Sequence, residues 1–209
     1  MMNLPLQGKK VALLLETEYI HDELVYYQDK VAELGGELHL LSYLWGESSK
    51  TFVNDCDRWD LPITSMHATT VDRCVTQENV DDYDVVLCAA NYVAVRLREI
   101  PPMGSVGTPQ QVKIPPAVDF FARAMMNPKI VKGCLCHALW ILTPNPQILA
   151  GRKVICHTVV LADVMNAGAI YVDSGQHVVV DRDLVTGRSF ADVEEYFSAI
   201  VATVTALSV

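Results

Sequence analysis

The feature that most constrains this chain is a series of short, wholly apolar runs separated by segments of helical periodicity. Val11-Ala12-Leu13-Leu14-Leu15 is continuously apolar and bounded by polar residues. A strand with one wet face would alternate, so this run suits a strand buried on both faces of a parallel sheet. From Asp22 to Leu34 apolar residues fall at three- and four-residue steps, with acids in the first turn and Gly35-Gly36 as a stop, which predicts a helix. Glu37 to Tyr43 reads as a second strand and closes a strand–helix–strand unit. The pattern recurs: a buried strand over Val85 to Ala89, a helix from Pro116 to Met126, and a strand from Ile130 to Cys136 running into a helix over His137 to Leu142. After these come Lys153 to His157, a helix over Val159 to Asn166, strands near Gly168–Val172, Val178–Asp181 and Leu184–Thr186, and a last helix from Ala191 to Leu207. Such alternation predicts an α/β fold with a doubly wound, mostly parallel sheet flanked by helices. Two stretches are less regular. Residues 44–82, with Trp45 and Trp59, suggest short strands or a hairpin over one end; residues 100–116, with five Pro and two Gly, suggest a surface loop.

Composition narrows the function. A chain of 209 residues, 51% hydrophobic and 20% charged, fills one core, so residues 1–209 are expected to form a single domain. A formal charge of -9 without clustered basic residues argues against nucleic acid. No apolar run approaches the roughly 20 residues that cross a bilayer, and no basic segment followed by an apolar run opens the chain, so a cytoplasmic, reducing setting is expected. The six Cys are then thiols. No dinucleotide glycine fingerprint or P-loop appears, so no organic cofactor is expected.

In a doubly wound sheet, reactive groups gather beyond the carboxyl ends of the strands. Gly133-Cys134-Leu135-Cys136-His137 places a thiol where a strand must turn abruptly into a helix. A turn of this kind exposes the turning side chain. The helix N-terminus favours thiolate, and the following N–H groups face any oxyanion formed there. Cys136 is therefore the candidate nucleophile, against the plainer reading of a small buried residue. His137 is a candidate acid or base. Cys134, two positions earlier, points to the same face and reads as core or support. Cys134, Cys136, Cys156 and His157 could complete a four-ligand metal set, but zinc sites favour Cys-x2-Cys spacing on loops, and no metal is expected. Arg96 and Arg98 are candidate carboxylate receivers or solvated residues. Tyr19, Tyr92, Trp140, Trp45 and Trp59 are candidate pocket walls.

The blocks Cys136-His137-Ala138, Gly151-Arg152-Lys153-Val154, Asn166 through Asp173, Val179-Val180-Asp181 and Leu184 through Arg188 resemble the ThiJ/PfpI superfamily, of the class I glutamine amidotransferase-like fold. The resemblance covers most of the chain. It implies a strained elbow Cys at 136, a His at 137 as in the protease-like and glyoxalase-like branches, and a second His at 157 as in the branch of the parkinsonism-associated deglycase. It also implies a homodimer acting on a small-molecule substrate. Two departures stand out. Matching the family's second helix-start Glu to Glu23 puts its thiol-contacting Glu at Ile20, so Glu16, Glu18 or His21 would have to take that role, with Glu18 preferred. Where the family has Pro-Gly-Gly, this chain has Cys88-Ala89-Ala90-Asn91-Tyr92, with the N–H near Ala90 as the expected oxyanion donor. The function implied is a cysteine-dependent enzyme adding a thiolate to a small carbonyl or acyl substrate, by glyoxalase-like, deglycase-like or hydrolase/amidase chemistry. The alternatives are a non-catalytic redox-responsive or binding protein of the same fold, or a specialised-metabolism enzyme with a remodelled pocket.

Overall fold

A computed structural model describes residues 4–55 and 66–207; Cys56 and Trp59 lie outside the described residues. The apolar runs become the inner strands. In chain order come β1 (Lys10–Leu14), α1 (His21–Glu33), β2 (Glu37–Ser42), β3 (Lys50–Val53), β4 (Ala68–Val71), β5 (Arg73–Cys74), β6 (Val85–Cys88), α2 (Val93–Arg96), α3 (Pro116–Met126) and β7 (Val131–Leu135). Next are α4 (Pro146–Leu149), β8 (Lys153–Val154), α5 (Thr158–Asn166), β9 (Ile170–Tyr171), β10 (Val178–Asp181), β11 (Leu184–Gly187) and α6 (Val193–Leu207).

Seven strands form the central sheet in the order β10-β11-β7-β6-β1-β2-β5. Only the β10–β11 pairing is antiparallel. This is the expected doubly wound sheet with one reversed edge hairpin. The irregular stretch 44–82 supplies the separate antiparallel pair β3–β4 and the edge strand β5. The strand read at Lys153–His157 is shorter than expected: β8 and β9 form their own parallel two-residue pair outside the central sheet. The segment after Cys136 is a 3-10 helix over Ala138–Ile141. Pro144 and Pro146 lack the N–H donors that would carry an α-helix onward, and proline disfavours α geometry in the residue before it.

Two contacts lock the core. Tyr26 and Tyr27 of α1 meet Phe197 of α6, with ring centroids 5.9 and 5.7 Å away. At Gly133 in β7, a Cβ would lie 2.2 Å from the Tyr196 hydroxyl and 2.5 Å from Leu87, so glycine is what lets α6 lie against the sheet. Because Leu14 pairs with Cys88 and Cys88 with Cys134, the carboxyl ends of β1, β6 and β7 lie side by side. The segments that leave them, after Leu14, Cys88 and Leu135, therefore converge. Among the described residues, no helix is long and apolar enough to cross a membrane.

Candidate active site

Cys136 stands one residue past β7 with φ of 60°, a left-handed conformation that a non-glycine residue adopts only under strain. Two backbone hydrogen bonds hold it there. Its own N–H donates to the Gly187 carbonyl at 2.9 Å, and the His157 N–H donates to its carbonyl at 3.2 Å. The residue is 9% exposed and belongs to the buried core. Cys134, Cys88 and Cys156 are buried, and burial raises all three thiols above their ordinary range. Cys134 is core, as its strand position predicts. Among the described residues no three His, Cys, Asp or Glu side chains group as metal ligands.

Three of the expected aromatic groups come together beside the elbow. The His137 ring lies 4.8 Å from His157, 5.4 Å from Tyr92 and 5.3 Å from Trp140. Neither His137 nitrogen has a hydrogen-bond partner among the described residues. Burial first, and then the neighbouring His157, lower its pKa to about 4, while the Asn91 backbone opposes the shift. His137 is thus a neutral imidazole near pH 7. His157 caps α5, its Nδ1 accepting from the Val159 N–H at 3.2 Å, which leaves Nε2 to carry the proton in the neutral ring. Tyr92 is 41% exposed, with its ring beside those of His137 and Trp140.

Other expected residues are placed differently. Glu18 is turned outward: its Oε2 accepts from Arg96 Nε at 2.8 Å, in a partly exposed ion pair. This pair also occupies Arg96, one of the two candidate carboxylate receivers. Glu16 accepts from the Thr17 N–H, and burial raises its pKa. His21 stacks on His67 with centroids 3.7 Å apart and nearly parallel planes. Tyr19 is fully buried with its hydroxyl bonded to Thr69 at 2.8 Å, so it is part of the core and not a pocket wall. Trp45 packs against Tyr43, with tilted rings 4.7 Å apart. Asn91, also left-handed with φ of 65°, donates from its amide to Asp55. The Ala90 N–H is not open to substrate: it donates to Glu23 Oε2 at 2.9 Å.

Glu23 is the group that sequence reasoning passed over. It is 1% exposed in the first turn of α1, and its Oε1 accepts from the Tyr27 hydroxyl at 2.9 Å. Burial pushes its pKa up to about 7, against the pull of the Ala90 and Tyr27 hydrogen bonds. Since Cys88 pairs with Cys134, Ala90 and Cys136 are the corresponding residues, each two positions beyond that pair. The carboxyl therefore sits beneath the loop that neighbours the elbow. One signal for it was present: Glu23, Tyr27 and Val31 share one helix face at four-residue steps, so the acid lies on the apolar stripe.

The DJ-1/PfpI family model matches residues 102–203, the segment that holds the elbow. General stress protein 18 of Bacillus subtilis is 26% identical over 190 residues, 90% of this chain and 94% of that one. Protein/nucleic acid deglycase 2 of Escherichia coli is 24% identical over 190 residues, again 90% and 94%. A two-domain protein of Anabaena variabilis with DJ-1/ThiJ/PfpI-like and ferritin-like domains superposes with a TM-score of 0.73 at 23% identity, over 93% of this chain and 47% of that one. Family match and fold agree: residues 102–203 are similar to the DJ-1/PfpI family, and the fold is that of the ThiJ/PfpI-like neighbours.

Proposed function

We propose that the protein is a cysteine-dependent enzyme acting on the electrophilic carbon of a small aldehyde or acyl compound, in glyoxalase-like, deglycase-like or hydrolase chemistry. The observation that carries this reading is the left-handed Cys136 at the carboxyl end of β7, pinned through both flanking peptides. In this reading the Cys136 sulfur forms a bond to the carbonyl carbon, and the carbonyl π pair moves onto oxygen. The thiol proton passes to Glu23, whose pKa of about 7 matches a general base working near neutrality. Glu23 then returns that proton to the oxyanion, while His137, neutral at that pH, donates only a hydrogen bond from its ring N–H. Because the Ala90 N–H is held by Glu23, the oxyanion is received by the backbone N–H of His137, which makes no backbone hydrogen bond among the described residues. The deglycase among the relatives supports carbonyl chemistry of this kind.

Cys136→Ser tests the reading on a panel of 2-oxoaldehydes and activated esters. Turnover should fall by about 10³-fold or more, in line with loss of a nucleophile, with the thermal midpoint nearly unchanged. Turnover by the variant at the parent rate would sink the mechanism.

The commitment of the Ala90 N–H to Glu23 favours a second reading, an oxidation-responsive protein. There the thiolate attacks a hydroperoxide twice, releasing one water or alcohol each time, and becomes a sulfinate. Mass spectrometry after mild peroxide would show two oxygens added at Cys136, with no turnover on the same panel.

A further inference from the structure

Trp140, whose ring lies 5.3 Å from that of His137, also lines a cleft of about 510 Å³, together with Val95, Arg98, Thr143, Pro146 and Asp163 among others. Two stripes of side chains lead into it from the elbow. Tyr92, Val95 and Arg98 follow one another at three-residue steps, because the turn begun in α2 continues through bonds from the Arg98 N–H to Val95 and from the Glu99 N–H to Arg96. His137, Trp140 and Thr143 do the same through the 3-10 helix and the residues that flank it, since positions three apart eclipse in such a helix. The stripes face each other, with Tyr92 and Trp140 stacked at 6.4 Å. Six residues of such helix rise about 10 Å, which is the length of the trough between the stripes from Tyr92, beside His137, to Arg98.

Arg98 is partly buried, and no acceptor among the described residues takes a hydrogen bond from its guanidinium. Asp163, the nearby acid, has an oxygen engaged by the Trp140 indole N–H at 2.7 Å. A guanidinium with no hydrogen-bonded acceptor among the described residues, at the end of a trough whose walls mix Val95, Trp140 and Pro146 with Thr143 and Asp163, is matched by a planar anion that can accept two hydrogen bonds. We propose that this trough binds the far end of the substrate and that its ligand class is a carboxylate carried on an apolar body about 10 Å long. The assignment rests on the thiol reading for the location of the reactive end, and it names the substrate class.

The test uses the Cys136→Ser protein, so that binding is read without turnover, with 4-phenylbutanoate and its neutral amide as probes in titration calorimetry. The acid should bind about tenfold or more tightly than the amide, the size of a charge-assisted hydrogen bond. Arg98→Gln should erase that preference and Arg98→Lys should keep part of it. Arg98→Glu should move the preference to 4-phenylbutylamine, a gain that a misfolded protein would not show. Equal affinity for acid and amide, no binding of either at millimolar concentration, or an acid preference surviving Arg98→Gln overturns the proposal. None of these results alters the turnover test of Cys136, so the two ideas fail separately.

Discussion

One strand of this protein has two very different ends. Near the start of β7, Lys132 is fully buried, and its ammonium is taken by Asp183 and by the Asn127 carbonyl at 3.0 Å. Arg152 completes the group, binding Asp183 at 2.8 Å and Asp181 at 2.6 Å. Four residues on, about 13 Å along the strand, the elbow shows the opposite economy: a strained Cys136, a His137 with two unpartnered nitrogens, and a buried acid poised near neutrality. The contrast teaches how to tell scaffold from site. Where every buried charge is answered, the polar groups hold the fold together; where strain and unanswered groups collect, the fold sustains them for chemistry.

The contrast is broken most directly at the paired end. Asp183→Ala strands Lys132 and half of Arg152, and should cost about 3–5 kcal/mol, read as a large drop in the thermal midpoint. A loss well under 1 kcal/mol would mean that the cluster is not structural. The titrating groups near the elbow should act on stability with opposite signs. Glu23 holds its proton to about pH 7 in the fold but to about 4.5 when unfolded, so its contribution falls as pH rises through that window. His137, with a folded pKa of about 4 against 6.5 unfolded, weakens the fold as pH falls from 6.5 towards 4. Urea midpoints at pH 5 and pH 7 should therefore show Glu23→Gln gaining on the parent with rising pH, and His137→Phe gaining with falling pH. Midpoints that move in parallel for both variants would refute the assignment.

Smaller effects sharpen the picture. Gly133→Ala, which drives a Cβ into Tyr196 and Leu87, should cost about 1–3 kcal/mol by overpacking. At the elbow, Cys136→Gly should be more stable than Cys136→Ala by about 1 kcal/mol, because only the alanine bears the left-handed penalty. Equal stabilities would place the strain elsewhere.

The parts of the chain that could be read in advance share a physical basis. Runs such as Val11 to Leu15 are strands because both faces are covered, and Pro116–Met126 is a helix whose apolar face recurs at the helical period. These signals are local. The elbow was legible for a similar reason: an apolar strand that ends on a Cys followed by a helix start leaves few conformations for that residue. What escaped notice depends on distant partners. Glu23 became the buried acid only because Ala90, 67 residues later, offers its N–H, and Glu18 became a surface group because Arg96 lies within reach. Matching residues to a family pattern by spacing placed the key acid at Ile20, whereas the helix face that includes Tyr27 points to Glu23. The short pair β8–β9 was overextended because two residues carry almost no periodicity.

The bonds from Cys136 to Gly187 and from His157 to Cys136 use main-chain atoms alone. The socket at position 136 is thus indifferent to what is plugged into it: a selenol, a carboxylate or an alcohol installed there would inherit the same aim. Chemistry at this fold can change by exchanging a single warhead while the mount stays as it is.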